Sequence, residues 1–307
     1  MAVITVKVQS RSGKPVTDVQ LDSTATVSDL KKKIHKAKSA LYPARQRLTL
    51  PPPPGAKSGD VLKDGATLES VGLKDGSVVL FKDLGTQIGY STVFFFEYFG
   101  PMVIYPAFFL FPQIFYPWAD KVPEKTLVQK VACAYWVFHY AKRIFETFFV
   151  HVFGHDTMPI FNLFKNCSYY YGFAAYVAYF VNHPQYTTPP ETQSLVLFAL
   201  ALIFQLSNLR CHIILANLRK PGEKGYKIPA GFLFNYITCA NYFAEIMGWV
   251  CFSLATQTVS GFLFTAAGAY QMAVWAQGKH KRLVKLFDGK DGRPKYPRRW
   301  IMLPPFF

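Results

Sequence analysis

Residues 2–8, VITVKVQ, alternate apolar and polar side chains, which predicts a half-buried strand. RSGKPV (11–16) reads as a turn and DVQLDS (18–23) as a second strand. TVSDLKKKIHKAK (26–38) opens on a Thr or Ser cap and places Leu30 and Ile34 one turn apart, so a helix is expected. RQRLTL (45–50) predicts another strand, PPPPGAKSGD (51–60) a loop, and SVVLFKD (77–83) a final strand. Beyond Lys82 the alternation gives way to long apolar runs. IGYSTVFFFEYFGPMVIYPAFFLF (88–111) is long enough to cross a hydrocarbon core of ~30 Å at ~1.5 Å per residue. Further spans are expected at 127–150, 164–182, 194–217, 233–255 and 258–277, making about six. The run 233–277 has to be divided in two without a marked turn.

Composition narrows this pattern. The chain has 307 residues, 51% of them hydrophobic and 17% aromatic, with a mean hydropathy of +0.13. A net charge of +16 raises nucleic acid as a partner. The basic residues instead gather at the edges of apolar runs, as in a membrane protein with positive cytoplasmic loops, so no nucleic-acid partner is expected. Cys133, Cys167, Cys211, Cys239 and Cys251 all lie in apolar segments and form no CxxC pair, which excludes both a secreted disulfide framework and a cysteine zinc site. There is no HExxH, and no metal is expected. No G-x-G-x-x-G follows a strand, which excludes a soluble Rossmann cofactor domain. MAVITVKVQS lacks the basic and apolar regions of a signal peptide, so insertion falls to an internal span. Asn166-Cys-Ser168 is a formal glycosylation sequon that abuts a span and is expected to be unused.

Three groups of polar residues sit where hydrocarbon should exclude them. Glu97 interrupts VFFFEYFG. An ionisable group at such depth is a functional candidate, the plain alternative being a structural pair with a base on another helix. In FHYAKRIFET, Tyr140, Arg143 and Thr147 share a helical face, and Lys142 and Glu146 stand at i, i+4, where they could simply neutralise each other. The third group is NLRCHIILANLRKPGEKGYKIPAGFLFNYITCANYFAEIMGW, residues 208–249. A helix through its first part puts Asn208, His212, Leu215 and Arg219 on one face, and Asn241, Glu245 and Gly248 share a face of its second part. Arg219, Lys220, Lys224, Tyr226 and Lys227 fill the loop between. This suits an anionic ligand whose other end enters the bilayer. It equally suits a basic juxtamembrane loop near anionic lipid with interhelical hydrogen bonds behind it.

The strand and helix order of residues 1–83 resembles a ubiquitin-like β-grasp. There is no terminal diglycine, so a cap or docking module is expected rather than conjugation. The 208–249 stretch closely resembles the C-terminal signature of the steroid 5α-reductase superfamily, and within it the very-long-chain trans-2-enoyl-CoA reductases of the endoplasmic reticulum. The likeness continues through YPARQRLTL, KDLGTQIGY, EYFGPM, FHYAKRIFETFFVHVFGHDTMP, NCSYYYGFAAYVAYFVNHP and AQGKHKRLVKLF. It implies a ubiquitin-like domain over 1–83 and a transmembrane reductase domain over 84–307, with the superfamily signature at 160–307.

The resemblance also implies roles. Glu97 and Arg143 would meet the substrate. Tyr140, supported by Lys142, would donate a proton or polarise a carbonyl, as a phenol with an unperturbed pKa near ~10 can at neutral pH. Asn208, Arg219, Tyr226 and Asn241 match cofactor contacts. Tyr242, a second candidate acid, and Glu245 would lie beside the nicotinamide. Arg219 and Lys220 would hold a phosphate of NADPH. Lys279 and His280 match a segment that lines the cofactor. His212 departs from the steroid-reducing branch, which has an acid there, and Leu283 stands where some relatives have a tyrosine.

The expectation is a polytopic α-helical membrane bundle with a cytosolic ubiquitin-like domain and both termini cytosolic. It would reduce the C2=C3 bond of trans-2-enoyl-CoA with NADPH, closing each cycle of fatty-acid elongation beside the elongase, ketoreductase and dehydratase. A steroid or polyprenol reductase, a membrane methyltransferase and a non-enzymatic scaffold are the alternatives.

Overall fold

The computed structural model describes residues 2–154, 156–219 and 225–307. The chain divides into two compact units, Met1–Tyr90 with His155–Asn162, and Ser91–Gly154 with Leu163–Phe307.

In the first unit β1 (Val3–Ser10) and β2 (Pro15–Asp22) form an antiparallel hairpin, followed by α1 (Val27–Ala37), β3 (Gln46–Thr49) and β4 (Val78–Asp83). The sheet order is β2-β1-β4-β3, with β1 parallel to β4 and the other pairs antiparallel. This is the expected β-grasp. β2 starts at Pro15, inside the stretch read as a turn, because Gln9 pairs with Pro15 across an irregularity at Val8/Gln9 and shortens the connection. Thr26 caps α1 in a reciprocal box with Asp29, satisfying backbone donors that the helix itself leaves open. Val6 and Val8 of β1, Val79 of β4 and Leu30 and Ile34 of α1 are fully buried, each contributing roughly 1.5–3 kcal/mol. A short pair, β5 (Gln87–Gly89) with β6 (Thr157–Pro159), also belongs to this unit, and the Gln87 N–H donates to the Tyr42 hydroxyl at 2.7 Å.

The second unit is helical. α2 (Tyr90–Leu110), the short α3 (Pro112–Phe115), α4 (Leu127–Phe149), α5 (Phe161–Val181), α6 (Glu191–Ala216), α7 (Ala240–Thr256) and α8 (Val259–Leu286) follow in order. Among the described residues six long helices thus stand where six spans were expected. Two of them, α2 and α6, are long and apolar enough to cross a membrane, with mean hydropathies of 1.5 and 1.7. Large apolar side chains such as Phe96, Val103, Leu200, Ile203, Val259 and Leu263 point outward. So much exposed apolar surface is stable against lipid and not against water. The core beneath them is aromatic, with Trp136 packed on Tyr105 and Phe252 and Trp249 on Phe264.

The run 233–277 divides where expected, at Gln257, which is left-handed (φ 47°), and Thr258, which caps α8. Two boundaries differ from expectation. α7 begins only at Ala240, because a 3₁₀ turn fills Phe232–Asn235 and the next residues pair with the C-terminal segment: Thr238 N–H donates to Trp300 O and Cys239 N–H to Ile301 O. α8 runs on to Leu286, nine residues past the expected end of its span.

Candidate functional site

The polar residues of α4 lie on a stripe that the helical period dictates. Tyr135, His139, Lys142 and Glu146 are spaced i, i+4, i+7 and i+11, and all are buried. α6 presents Gln205, Asn208 and His212, also buried, and α7 presents Glu245. These stripes interlock. Gln205 Nε2 lies 2.7 Å from both the Tyr135 hydroxyl and His139 Nδ1. With the amide nitrogen donating, Nδ1 is an acceptor, so the neutral His139 ring carries its proton on Nε2, which faces Glu245 Oε1 at 3.7 Å. Glu245 Oε2 accepts from Asn208 Nδ2 at 3.1 Å, that same nitrogen donates to Asn241 O at 2.9 Å, and Asn208 Oδ1 accepts from Lys142 Nζ at 2.5 Å.

Glu146 is the hub of the lower half. Its Oε1 meets Lys142 Nζ at 3.0 Å and His212 Nδ1 at 3.0 Å, and its Oε2 meets Arg143 Nη1 at 2.6 Å. Arg143 Nη2 donates to the Tyr98 hydroxyl at 2.9 Å, with the guanidinium 5.0 Å from that ring's centre. With the histidines neutral, Lys142 and Arg143 balance Glu146 and Glu245, as a buried polar group in a low-dielectric interior requires. Glu146, His151 and His212 also bring three ligand atoms within 4.8 Å of one another. A metal ion there would sit against Lys142 and Arg143 and compete with them for the one carboxylate, so the geometry favours a charge network.

Glu97 and Tyr140 occupy a neighbouring apolar region. Glu97, 2% exposed, accepts from Asn166 Nδ2 of α5 at 2.6 Å. Tyr140 packs against Trp136, His139, Tyr98 and Trp249. Its hydroxyl makes no hydrogen bond to another described residue. The expected support from Lys142 and Arg143 is indirect, since Lys142 turns to Glu146 and Asn208, and Arg143 to Glu146 and Tyr98. Tyr242 belongs to a different packing cluster, where Lys279 Nζ donates to its hydroxyl at 2.7 Å.

The remaining cofactor candidates form an exposed cationic rim. Arg219 is not on the face of Asn208 and His212, because α6 ends at Ala216 with Asn217 as its C-cap. Its Nη1 instead donates to Gly225 O at 3.3 Å. Tyr226 accepts from Arg282 Nη1 at 3.1 Å. His280 Nδ1 lies 2.8 Å from Thr238 Oγ1, a hydroxyl that also takes a bond from Tyr296. Lys220 and Lys224 lie outside the described residues.

Sequence reasoning missed Tyr98, Tyr135, His139, Gln205, Asn166 and Arg282. The i, i+4, i+7 spacing of 135, 139 and 142 signals a polar stripe on α4, while Asn166 carries no signal beyond its position inside an apolar helix.

Residues 156–307 match the family described as 3-oxo-5-alpha-steroid 4-dehydrogenase, and residues 4–81 match the ubiquitin family. Over its whole length the chain is similar to the very-long-chain enoyl-CoA reductase of Dictyostelium discoideum, at 43% identity over 307 residues and 99% of each chain. It is 35% identical over 275 residues to the trans-2,3-enoyl-CoA reductase-like protein of Bos taurus, covering 86% of this chain and 74% of that one. To the Mus musculus protein so described it is 34% identical over 279 residues, covering 88% and 75%.

Proposed function

The chain belongs to the family of the very-long-chain enoyl-CoA reductases, and from that premise we propose that it reduces the C2=C3 bond of a trans-2-enoyl-CoA at the expense of NADPH. The observation that carries this reading is the full-length likeness to a reductase so named, joined to a buried carboxyl, Glu97, and a buried phenol, Tyr140, in an apolar helical bundle.

A nicotinamide cofactor accompanies oxidoreductase chemistry of this family, and the donor set of the second unit fits its phosphorylated form. Arg219, Lys279 and Arg282 are cations whose bonded partners among the described residues are neutral (a carbonyl and two phenols), which leaves charge for a phosphate. Arg143 Nε is buried without a partner among the described residues. Asn208, Asn241, Glu245 and His212 form the polar wall behind, and Tyr226 with His280 complete the set. When bound, the dinucleotide supplies a hydride to C3 of the enoyl thioester. The protein's own part is to hold protons at two places. Glu97, as the acid, keeps its proton and donates a hydrogen bond to the thioester oxygen, where negative charge develops. Tyr140, whose hydroxyl is uncommitted, gives its proton to C2. Tyr98 relays the field of Arg143 toward Tyr140, and the aromatic packing of Trp136 and Trp249 keeps water away from Tyr140.

Within the same proposal all six long helices cross the endoplasmic reticulum membrane, the unit over 1–83 is a cytosolic docking module, the domain over 84–307 is catalytic, and the enzyme works beside the elongase, ketoreductase and dehydratase. Loss of reduced-nicotinamide absorbance on mixing purified protein, NADPH and a long-chain trans-2-enoyl-CoA tests the reading. Turnover is expected with the enoyl thioester and not with a 3-oxo-4-ene steroid or a polyprenol. Turnover with the steroid alone would replace this substrate assignment, and absence of NADPH binding by folded protein would overturn the reductase reading.

A further inference from the structure

Glu97 is held by a single hydrogen bond among the described residues, and that bond comes from a neutral amide on another helix. Asn166 Nδ2 donates to Glu97 Oε1 at 2.6 Å. The seam around this contact is tightly fixed. Tyr171, five residues along α5 from Asn166, donates its hydroxyl to Phe96 O at 2.7 Å, one residue before Glu97. The Tyr171 ring also fills the space where a side chain at position 100 would begin, so Gly100 lets α2 and α5 approach here. Three contacts therefore bracket Glu97 within about one turn of α2.

We propose that Asn166 is a positioning residue that selects which oxygen of Glu97 acts on the substrate. This rests on the reading of Glu97 given above. An amide nitrogen is a donor only, so the oxygen that accepts from it stays an acceptor in either protonation state of the acid. The proton of the acid form is thereby confined to Oε2. Oε2 bonds to no described residue and is not among the fully occluded polar atoms, so it is the oxygen left to meet a thioester carbonyl. Asn166 thus does for the carboxyl what a second hydrogen-bonding partner does for a catalytic histidine: it fixes the tautomer and the direction of the working atom. The same bond commits the side chain of the Asn166-Cys-Ser168 sequon to the helix seam, which removes it as a glycan acceptor.

The test is a double-mutant cycle on full-length protein in detergent, read as turnover of a long-chain trans-2-enoyl-CoA with NADPH. Asn166→Ala is expected to lower kcat on the order of 10- to 100-fold, the range for losing a hydrogen bond to a buried acid. KM for both substrates should change by less than about twofold. In a Glu97→Gln background the same substitution should change kcat by less than about twofold, because the atom it positions no longer carries the acid proton. Asn166→Asp keeps the shape and loses the permanent donor, so it should behave like Asn166→Ala even if the smaller side chain disturbs folding. Ser168→Ala removes the sequon and keeps the amide, and should retain wild-type turnover. Equal losses from Asn166→Ala in both backgrounds would mark a purely structural role and overturn the proposal. Wild-type kcat in Asn166→Ala beside an impaired Glu97→Gln overturns it alone, whereas wild-type kcat in Glu97→Gln overturns the assignment of Glu97 as well.

Discussion

Glu146 accepts from three side chains, and its loss leaves charges that cannot reach water. Glu146→Gln keeps the shape but leaves Lys142, 7% exposed, with the neutral Asn208, and Arg143 with Tyr98 and His212, as their remaining hydrogen-bond partners among the described residues. Breaking one side of a buried pair costs on the order of 3–5 kcal/mol, so a clear fall in apparent melting temperature in detergent is expected, with NADPH binding weakened in step. Tyr140→Phe makes a different prediction. It removes one hydroxyl with no hydrogen bond to another described residue, so stability and NADPH affinity should hold while kcat drops on the order of 10²–10⁴-fold, the worth of a positioned general acid. Tyr242→Phe should instead free Lys279 and raise KM for NADPH with little change in kcat. Equal kcat losses in the two variants, measured by steady-state kinetics, would contradict this division. At this scale some of the site was legible in the chain. The Lys142–Glu146 pair follows from i, i+4 spacing alone, and Glu97 announces itself as a charge among phenylalanines. The meeting of His139 with Gln205 and of Glu97 with Asn166 was not legible, because each joins two helices whose mutual rotation no local period encodes. Arg219 was misplaced for the opposite reason: the apolar period continues through Leu218 although the backbone has left the helix at Asn217.

Elements are held by contacts that substitutions can separate. The approach of α2 to α5 depends on the absent side chain at Gly100, where a methyl group would enter the Tyr171 ring and push its hydroxyl from Phe96 O. Gly100→Ala is expected to lower both melting temperature and turnover. Gly172→Ala, on α5 where nothing lies within 4 Å, should be neutral or stabilising by up to about 1 kcal/mol. Matching losses at both positions in a thermal-shift assay would show that the seam is not what matters. In the first unit β3 and β4 are tied at their ends by Arg45, whose Nε bonds Asp83 Oδ1 at 3.0 Å and whose Nη2 bonds Oδ2 at 2.5 Å. The Arg45 guanidinium holds the Asp83 carboxyl below the ordinary aspartate range. Because the folded value lies below the unfolded one, the pair's contribution is present above about pH 4 and is lost as pH falls through the folded value. Both groups are partly exposed, so solvent screening keeps this contribution small. Asp83→Asn should therefore speed amide exchange in β3 and β4 of the full-length protein at pH 7, and the difference from the wild type should shrink as pH falls through the folded value. The strands and α1 were readable from alternation and capping. The start of α7 was not, since residues 236–239 pair with Trp300 and Ile301, some sixty positions away in the chain.

At the scale of the whole molecule the question is which connections face the cytosol. The pairing of β5 with β6 inside the first unit returns the chain to that unit after α2 and α4, so if these helices cross a membrane, an even number of crossings separates Tyr90 from Thr157. The charge of the later connections points the same way. The 182–190 connection after α5 has no Lys or Arg, whereas the 217–239 connection after α6 holds Arg219, Lys220, Lys224 and Lys227. The segment from Lys279 onward carries Lys281, Arg282, Lys285, Lys290, Arg293 and Lys295 and more beyond. Basic residues beside short connections stay on the cytoplasmic face. If all six long helices cross, both termini lie there and residues 182–190 lie opposite. Single cysteines introduced at the exposed positions Ser58, Thr187 and Lys290 test this in sealed microsomes with a membrane-impermeant maleimide, and the native cysteines, all within helices or buried, set a low background. Ser58→Cys and Lys290→Cys should label in intact vesicles and Thr187→Cys only after permeabilisation. Labelling of Thr187→Cys together with Lys290→Cys in intact vesicles would mean that α6, α7 and α8 make an even number of crossings. One of the less apolar helices would then lie within the bundle without spanning, and the polar seam of α4, α6 and α7 would open on the other face.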